Sequence, residues 1–438
     1  YPKDGQSMDE VRTLILSEVA KLRAGEFDES LIEAAISNIK LRQMRQLESN
    51  SSRAMMMVNS FIKRSDWADE VHELDRLEKV TKADVVEWAN EYLSDNSYVV
   101  VYKHQGVNPK NNKIVAPAIT PIATNRDKQS AFLTEIAQTQ VAPIEPVFVD
   151  YEKDLSKSEF RKGIEMLYKK NENNDIVNAT FRFDIGNSTD PALGFAFEYL
   201  SYLGTPTRSA EELALEEYII AGNHSFVVND NNMTVSVSGL SENLGQMLDL
   251  VEDLMLNAVP DEEILQNLKQ DEIMARQMAK ANQNSCSSAL NRYVIYGPEY
   301  VKSVTLSDNQ VMSLTSDQLL GLVKGVLGKE HKLLYYGPQT ESEAKSVMAE
   351  HHKCSDNLEK LEKKYTRKQI VDQPKVFIAP YDSRQFNYIQ YSDRGETFSM
   401  DDVPAIELFN EYFGGGMNTI VFQEMREARA LAYSAGAY

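Results

Sequence analysis

KVTKADVVEWANEYLSDNSYVVVYK (79–103) lies without a gap over SLTSDQLLGLVKGVLGKEHKLLYYG (313–337). Each stretch opens on a threonine three residues ahead of a polar partner, Thr81 with Asp84 and Thr315 with Gln318. That spacing is a capping box, in which two side chains satisfy the free N–H groups at the start of a helix. Each stretch closes on a β-branched and aromatic run that reads as a strand. The offset is 315 − 81 = 234. A second segment shares it: RQMAKANQNSCSSA from Arg276 lies over RQMRQLESNSSRA from Arg42, and 276 − 42 = 234. PDEEILQNLK sits over FDESLIEAAI with a one-residue shift. Two segments with one offset read as a duplicated domain.

Working outward, the second copy carries a front half from about 147 to 237. It reads as strand DIVNATFRFDIGN, helices ALGFAFEYLSYLGT and SAEELALEEYIIAG, then strands HSFVVND and MTVSVSG. The first copy lacks such a half. It begins instead with helices, SMDEVRTLILSEVAKLRAG showing the stripe Val11, Leu14, Ile15, Val19 and Leu22 before Gly25. After about Pro374 a third front half starts, VFIAPYDSRQFNYIQYSD then VPAIELFNEYFGGG. Both ends of the chain are therefore expected to fall inside domains. Between 105 and 146 the texture is rich in proline and asparagine and reads as a linker.

Bulk properties narrow the function. The 438 residues carry a formal net charge of −20, which argues against nucleic acid and anionic membrane surfaces. No run of 18 apolar residues is present, so no membrane span is expected. The two cysteines, Cys286 and Cys354, are too few for a disulfide framework. Of the six histidines only His351 and His352 cluster, with Cys354, and this polar stretch reads as a solvated face.

The ending YFGGGMNTIVFQEMREARALAYS (412–434), together with the repeated halves, resembles the pitrilysin-type zinc peptidases, which include insulin-degrading enzyme and the mitochondrial processing peptidases. The resemblance implies an α+β fold of repeated two-layer domains, each with a mixed or antiparallel sheet and helices on one face. It implies the back half of family domain two at 1–104, an inter-half linker at 105–146, a complete domain three at 147–374, and the front of domain four at 375–438. The family's inverted H-x-x-E-H zinc helix pairs two imidazoles one turn apart with a glutamate base. On that template Phe195 and Tyr199 stand at the histidine positions, Glu198 at the base, and Glu272 nearest the downstream glutamate. The expectation is a domain that binds no metal, with zinc held upstream in the parent protein.

The same resemblance places Arg426 and Tyr433 at substrate-contacting positions facing the zinc across a closed chamber. A phenol can donate to an oxyanion, and an Arg fork can hold a peptide carbonyl. The implied partners are a peptide or unfolded polypeptide and the missing N-terminal half. Gly414, Gly415 and Gly416 follow a helix and lack the G-x-x-x-x-G-K-[ST] pattern, so a tight turn capped by Asn418 or Thr419 is expected, rather than a phosphate cradle. A non-catalytic partner or scaffold subunit is the alternative reading, and an unrelated acidic binding protein a third. Asn178, Asn187, Asn223 and Asn232 are N-x-Ser/Thr sites in or near regular structure, which leans toward a bacterial source; family habit then suggests periplasm or envelope.

Overall fold

The computed structural model describes residues 5–94, 97–104, 106, 115–118, 120, 128–362, 366, 368–382, 388–393, 395 and 397–438. Its first part is helical: α1 (Met8–Ala24), α2 (Ser30–Glu48), α3 (Asn50–Lys63), α4 (Trp67–Val71), α5 (Glu73–Leu77) and α6 (Lys82–Tyr92). Thr81 and Asp84 cap α6 reciprocally, as their spacing predicts. A short helix that the reading of 105–146 did not foresee, α7 (Ala131–Gln138), follows, with Ser130 as its cap.

A six-stranded sheet then forms in the order β1-β2-β6-β3-β5-β4. The strands are β1 (Ser156–Arg161), β2 (Ile164–Lys170), β3 (Ile176–Phe183), β4 (Gly222–Val228), β5 (Met233–Leu240) and β6 (His331–Gly337). β2 and β6 run parallel, with Ile164 opposite His331, and every other pair is antiparallel. Residues alternate along β3, β5 and β6 between buried and more exposed positions, the period of a half-covered sheet.

The helices that follow are α8 (Leu193–Leu200), α9 (Ala210–Ile219), α10 (Leu244–Asn257), α11 (Glu262–Lys280), α12 (Gln283–Tyr296), α13 (Pro298–Ser303), α14 (Asp308–Ser313), α15 (Ser316–Val326) and α16 (Glu341–His351), and all but α12 and α13 bury residues in the core over the sheet. The core joins Met166, Phe181, Phe183, Val235 and Leu333 of the sheet to Phe197 of α8, Leu248 of α10, and Leu319 and Val323 of α15. The chain ends in α17 (Val403–Phe413), α18 (Ile420–Phe422) and a π-helix over Gln423–Glu427.

The architecture is α+β, with a mixed sheet and helices on one face, as expected. The repeat shows itself in helix lengths. α2 and α11 each have 19 residues, α3 and α12 each 14, and α6 and α15 each 11. Both ends of α15 lie 234 residues beyond those of α6 (316 − 82 and 326 − 92). Thr315 and Gln318 cap α15 as Thr81 and Asp84 cap α6.

Two strand expectations fail. Residues 98–103 form no strand, although β6 is their counterpart, and Val99 and Val101 are 89% and 86% exposed. β6 obtains its ladder from β2 on one side and β3 on the other. Among the described residues 98–103 have no strand beside them, and an isolated strand leaves its backbone groups unpaired. The same holds for 375–382 and 388–393, where Val376 and Ile378 are exposed. Conversely, the β1–β2 hairpin, SKSEFRKGIEMLYKK (156–170), was not foreseen. Its turn depends on Gly163, whose φ of 85° favours a residue without Cβ.

Candidate functional site

The distinctive C-terminal segment is built around a glycine turn. α17 ends where the N–H groups of Gly414 and Gly415 both donate to the Asn410 carbonyl, at 2.9 and 2.7 Å. A Cβ on Gly414 would stand 2.3 Å from the backbone nitrogen of Ala437, so close chain approach requires glycine there. The run is thus a turn between helices. Thr419 occupies the N-cap position of α18, but its hydroxyl donates to the Gly416 carbonyl (2.7 Å) rather than capping the helix.

α18 continues into the π-helix, closed by the Ala428 N–H donating to the Gln423 carbonyl at 2.8 Å. Such wide turns are rare and concentrate at functional sites. Just beyond, Ala430 has φ 49°, a left-handed conformation uncommon for a residue with Cβ. The Leu431 N–H donates back to the Met425 carbonyl at 2.9 Å. This reversal returns the chain over the π-helix and joins the two residues singled out by sequence. The Arg426 guanidinium carbon lies 4.9 Å from the Tyr433 ring centre and 4.7 Å from that of Phe422. Arg426 is about one-third exposed and Tyr433 is 88% exposed.

The helix that stands in the zinc-motif position is chemically different. Phe195 is buried and has no donor atom for a metal. Tyr199 is fully buried; its hydroxyl donates to the Asp261 carbonyl and accepts from the Asp261 N–H, both at 2.9 Å, and lies 3.1 Å from the Ser316 hydroxyl. It ties α8 to the N-termini of α11 and α15. Glu198 has its pKa raised by desolvation and by the charge of Glu272, and Glu272 accepts from the Arg276 Nε at 2.7 Å. The downstream glutamate candidate does face this helix, but the donor set does not fit a zinc ion. Among the described residues no group of three or more His, Cys, Asp or Glu side chains is placed to hold a metal.

The histidine reading needs correction. His352 is not on a solvated face: it is 2% exposed, and His331 and Glu252 are 5% and 3% exposed. His352 Nδ1 is hydrogen-bonded to the Glu252 carboxylate, whose other oxygen accepts from the Lys353 N–H at 2.9 Å. His352 Nε2 lies 3.0 Å from His331 Nε2, and His331 Nδ1 lies 2.9 Å from the Lys329 carbonyl. A carbonyl can only accept, so His331 carries its proton on Nδ1 and its Nε2 accepts. His352 therefore donates from Nε2.

Burial pushes His331 down to about 4, against the Lys329 hydrogen bond and with help from the nearby His352 charge. Burial opposes charge on His352 too, but hydrogen bonding to Cys354 and Glu252 outweighs it and raises that ring to about 9. Phe181 stacks on His352 at 4.3 Å. Sequence spacing missed this cluster because its members lie on α10, β6 and the segment after α16, some 100 residues apart at the widest. His351 instead reaches Asp249 at the surface, 2.9 Å away.

A mixed sheet covered on one face by helices, with a helical succession repeated at a fixed offset, places the described residues in the α+β class. Residues 313–438 match the model described as "Peptidase M16 inactive domain". Two curated relatives are each an "Uncharacterized zinc protease". The one from Rickettsia bellii is 25% identical over 273 residues, covering 58% of this chain and 61% of the relative. The one from Rickettsia felis is 22% identical over 256 residues, with the same coverage. The chain thus spans less than two thirds of the length of these relatives.

Among solved structures, a peptidase M16 inactive domain from Pseudomonas fluorescens matches with TM-score 0.49 and 16% identity, over 64% of this chain and 69% of that one. The periplasmic protease PqqL from Escherichia coli matches with TM-score 0.42 and 12% identity, over 80% and 41%. The family-model match and the zinc-protease relatives support a likeness to the C-terminal half of the pitrilysin-type peptidases. No helix among the described residues is long and apolar enough to cross a membrane.

Proposed function

We propose that this chain is the substrate-binding and closing half of a zinc endopeptidase that encloses peptides or unfolded polypeptides. In this reading residues 1–104 are the back half of domain two, 105–146 the inter-half linker, 147–374 the metal-free domain three, and 375–438 the front of domain four. The hydrolytic zinc and its glutamate base belong to the N-terminal half of the same protein, and a periplasmic or envelope location accompanies the reading. The observation that carries it is the meeting of Arg426 and Tyr433 at an exposed π-helical turn. The Tyr433 hydroxyl has no hydrogen-bond partner among the described residues, so it is free to donate to the oxyanion formed as a peptide carbonyl is attacked. Arg426 holds the neighbouring substrate carbonyl. The phenol of Tyr199 and the bare ring of Phe195 support placing the metal elsewhere.

The test uses the chain alone and the chain assembled with its N-terminal half. The chain alone, given zinc and an unfolded peptide, should show no turnover; turnover abolished by a chelator refutes the assignment. In the assembled protein Tyr433→Phe should lower kcat by about 10²–10³-fold, the usual cost of one oxyanion donor. Unchanged kcat, or an assembled protein inactive with an intact upstream metal motif, favours a non-catalytic partner subunit.

A further inference from the structure

The C-terminal turn holds more than the two residues that sequence resemblance points to. Arg426 lies against two aromatic rings, with Phe422 one helical turn before it at 4.7 Å and Tyr433 on the return stretch at 4.9 Å. Its guanidinium makes no hydrogen bond among the described residues. Several other arginines of this chain behave differently. Arg276 and Arg292 commit their N–H groups to carboxylates at 2.7–2.8 Å. Arg429, three residues on, donates to the Glu424 carbonyl at 3.0 Å. The nearest anion to Arg426 is the Glu427 carboxylate, 3.7 Å from Nε and half exposed, a contact too loose and too wet to fix the side chain.

A guanidinium held by its faces keeps its N–H donors, which lie in the plane, directed outward and unused. The π-helix and the left-handed Ala430 are the backbone features that bring the second ring back over the cation.

We infer that Phe422 is a positioning residue for Arg426: its ring, opposed by that of Tyr433, clamps the guanidinium so that the N–H edges meet a planar oxygen acceptor, the carbonyl or carboxylate of a peptide. This rests on the reading of Arg426 as a substrate contact. A flexible arginine must lose rotamer freedom on binding, and the clamp removes that cost beforehand. Tyr433 has two tasks in this arrangement, ring face toward Arg426 and hydroxyl toward the reacting carbonyl. Phe422 has only one, so it separates the clamp from the chemistry.

The experiment measures binding of a fluorescein-labelled unfolded peptide to the full chain by anisotropy, across wild type, Phe422→Leu, Phe422→Trp, Arg426→Ala and the Phe422→Leu/Arg426→Ala double variant. Phe422→Leu keeps apolar bulk and removes the ring; it should weaken binding roughly threefold to tenfold, as expected for one cation–π face. Phe422→Trp should restore it, and the double variant should bind no more weakly than Arg426→Ala. In parallel, the upfield ring-current shift of the Arg426 δ protons should diminish in Phe422→Leu and persist in Phe422→Trp, a readout that does not depend on peptide. Weaker binding by Arg426→Ala with Phe422→Leu at wild-type affinity overturns the inference and leaves the substrate-contact reading standing. Wild-type affinity in Arg426→Ala, or no peptide binding by the wild type, overturns the substrate-contact reading. An Arg426 δ-proton shift unchanged by Phe422→Leu overturns the clamp itself.

Discussion

Sheet stability should trace a bell against pH, because one buried pair of imidazoles pulls in both directions. His331 is held down to about 4 from an ordinary value of 6.5, so the folded state binds fewer protons than the unfolded chain. Its contribution is complete above pH 6.5 and disappears as pH falls toward 4. His352 is raised to about 9. Its contribution is complete below pH 6.5 and disappears as pH rises through 9. Each shift spans 2.5 pH units (6.5 − 4 and 9 − 6.5), or on the order of 3 kcal/mol at full extent.

Partway along each limb, at pH 5 and again at pH 8, stability should lie roughly 1 kcal/mol below the maximum near pH 6.5. The other strongly shifted groups act outside this window. Glu341, pushed down to about 2 by the hydroxyls of Ser158 and Ser156 and by Lys345, matters only below pH 4.5. Tyr335, raised by burial, matters only above pH 10.

Urea unfolding followed by far-UV circular dichroism, from pH 4.5 to 9, measures the curve. Glu252→Gln removes one of the two partners that keep His352 charged, so its alkaline limb should move toward lower pH while the acid limb stays. A flat profile between pH 5 and 8, or an alkaline limb unmoved in Glu252→Gln, refutes the proton assignment.

Other outcomes follow from the repeat and from the cysteines. Leu319→Ala, at a fully buried position between α15 and α8, should cost about 2–5 kcal/mol by chemical denaturation, and its counterpart Val85→Ala, only partly buried, should cost less than half as much. Thr315→Ala should remove the half of the capping box in which the Gln318 N–H donates to the Thr315 hydroxyl, leaving the residue-315 N–H on Gln318 Oε1, and lower stability by about 1 kcal/mol, read as a shift in urea midpoint at constant slope. Cys354 should react with iodoacetamide faster than Cys286. Its burial opposes ionisation, but His352 and Arg161, the latter 3.4 Å from the sulfur, lower its pKa, whereas the Cys286 thiol donates to the Lys280 carbonyl at 3.3 Å. Equal alkylation rates would count against this contrast.

What could be read from the sequence was what local chemistry decides. The capping boxes at Thr81 and Thr315, the helix lengths implied by the 234-residue offset, and strands β3, β4, β5 and β6 all carry their signal within a dozen residues. The encounter of Arg426 with Tyr433 came from motif resemblance, and the chain reversal at Ala430 that achieves it has no glycine to announce it. Strand propensity misled at 98–103 because Val99–Val101 have the right residues and, among the described residues, no strand to pair with. The buried Glu252–His352–His331 cluster was illegible for the converse reason. A charged-looking H-H-K-C stretch is polar by composition, and only tertiary packing decides that one of its histidines turns inward under Phe181 while the other faces water.

The position of β6 governs how the sheet can be assembled. It lies between β2 and β3, and its partner Ile164 precedes His331 by 167 residues (331 − 164). Until residue 337 has left the ribosome, the β1–β2 hairpin and the β3–β5–β4 meander cannot be joined, and each exposes an unpaired edge. Long-range parallel pairing is slow to form. The nascent chain therefore has a lengthy interval in which two half-sheets with open edges await their keystone.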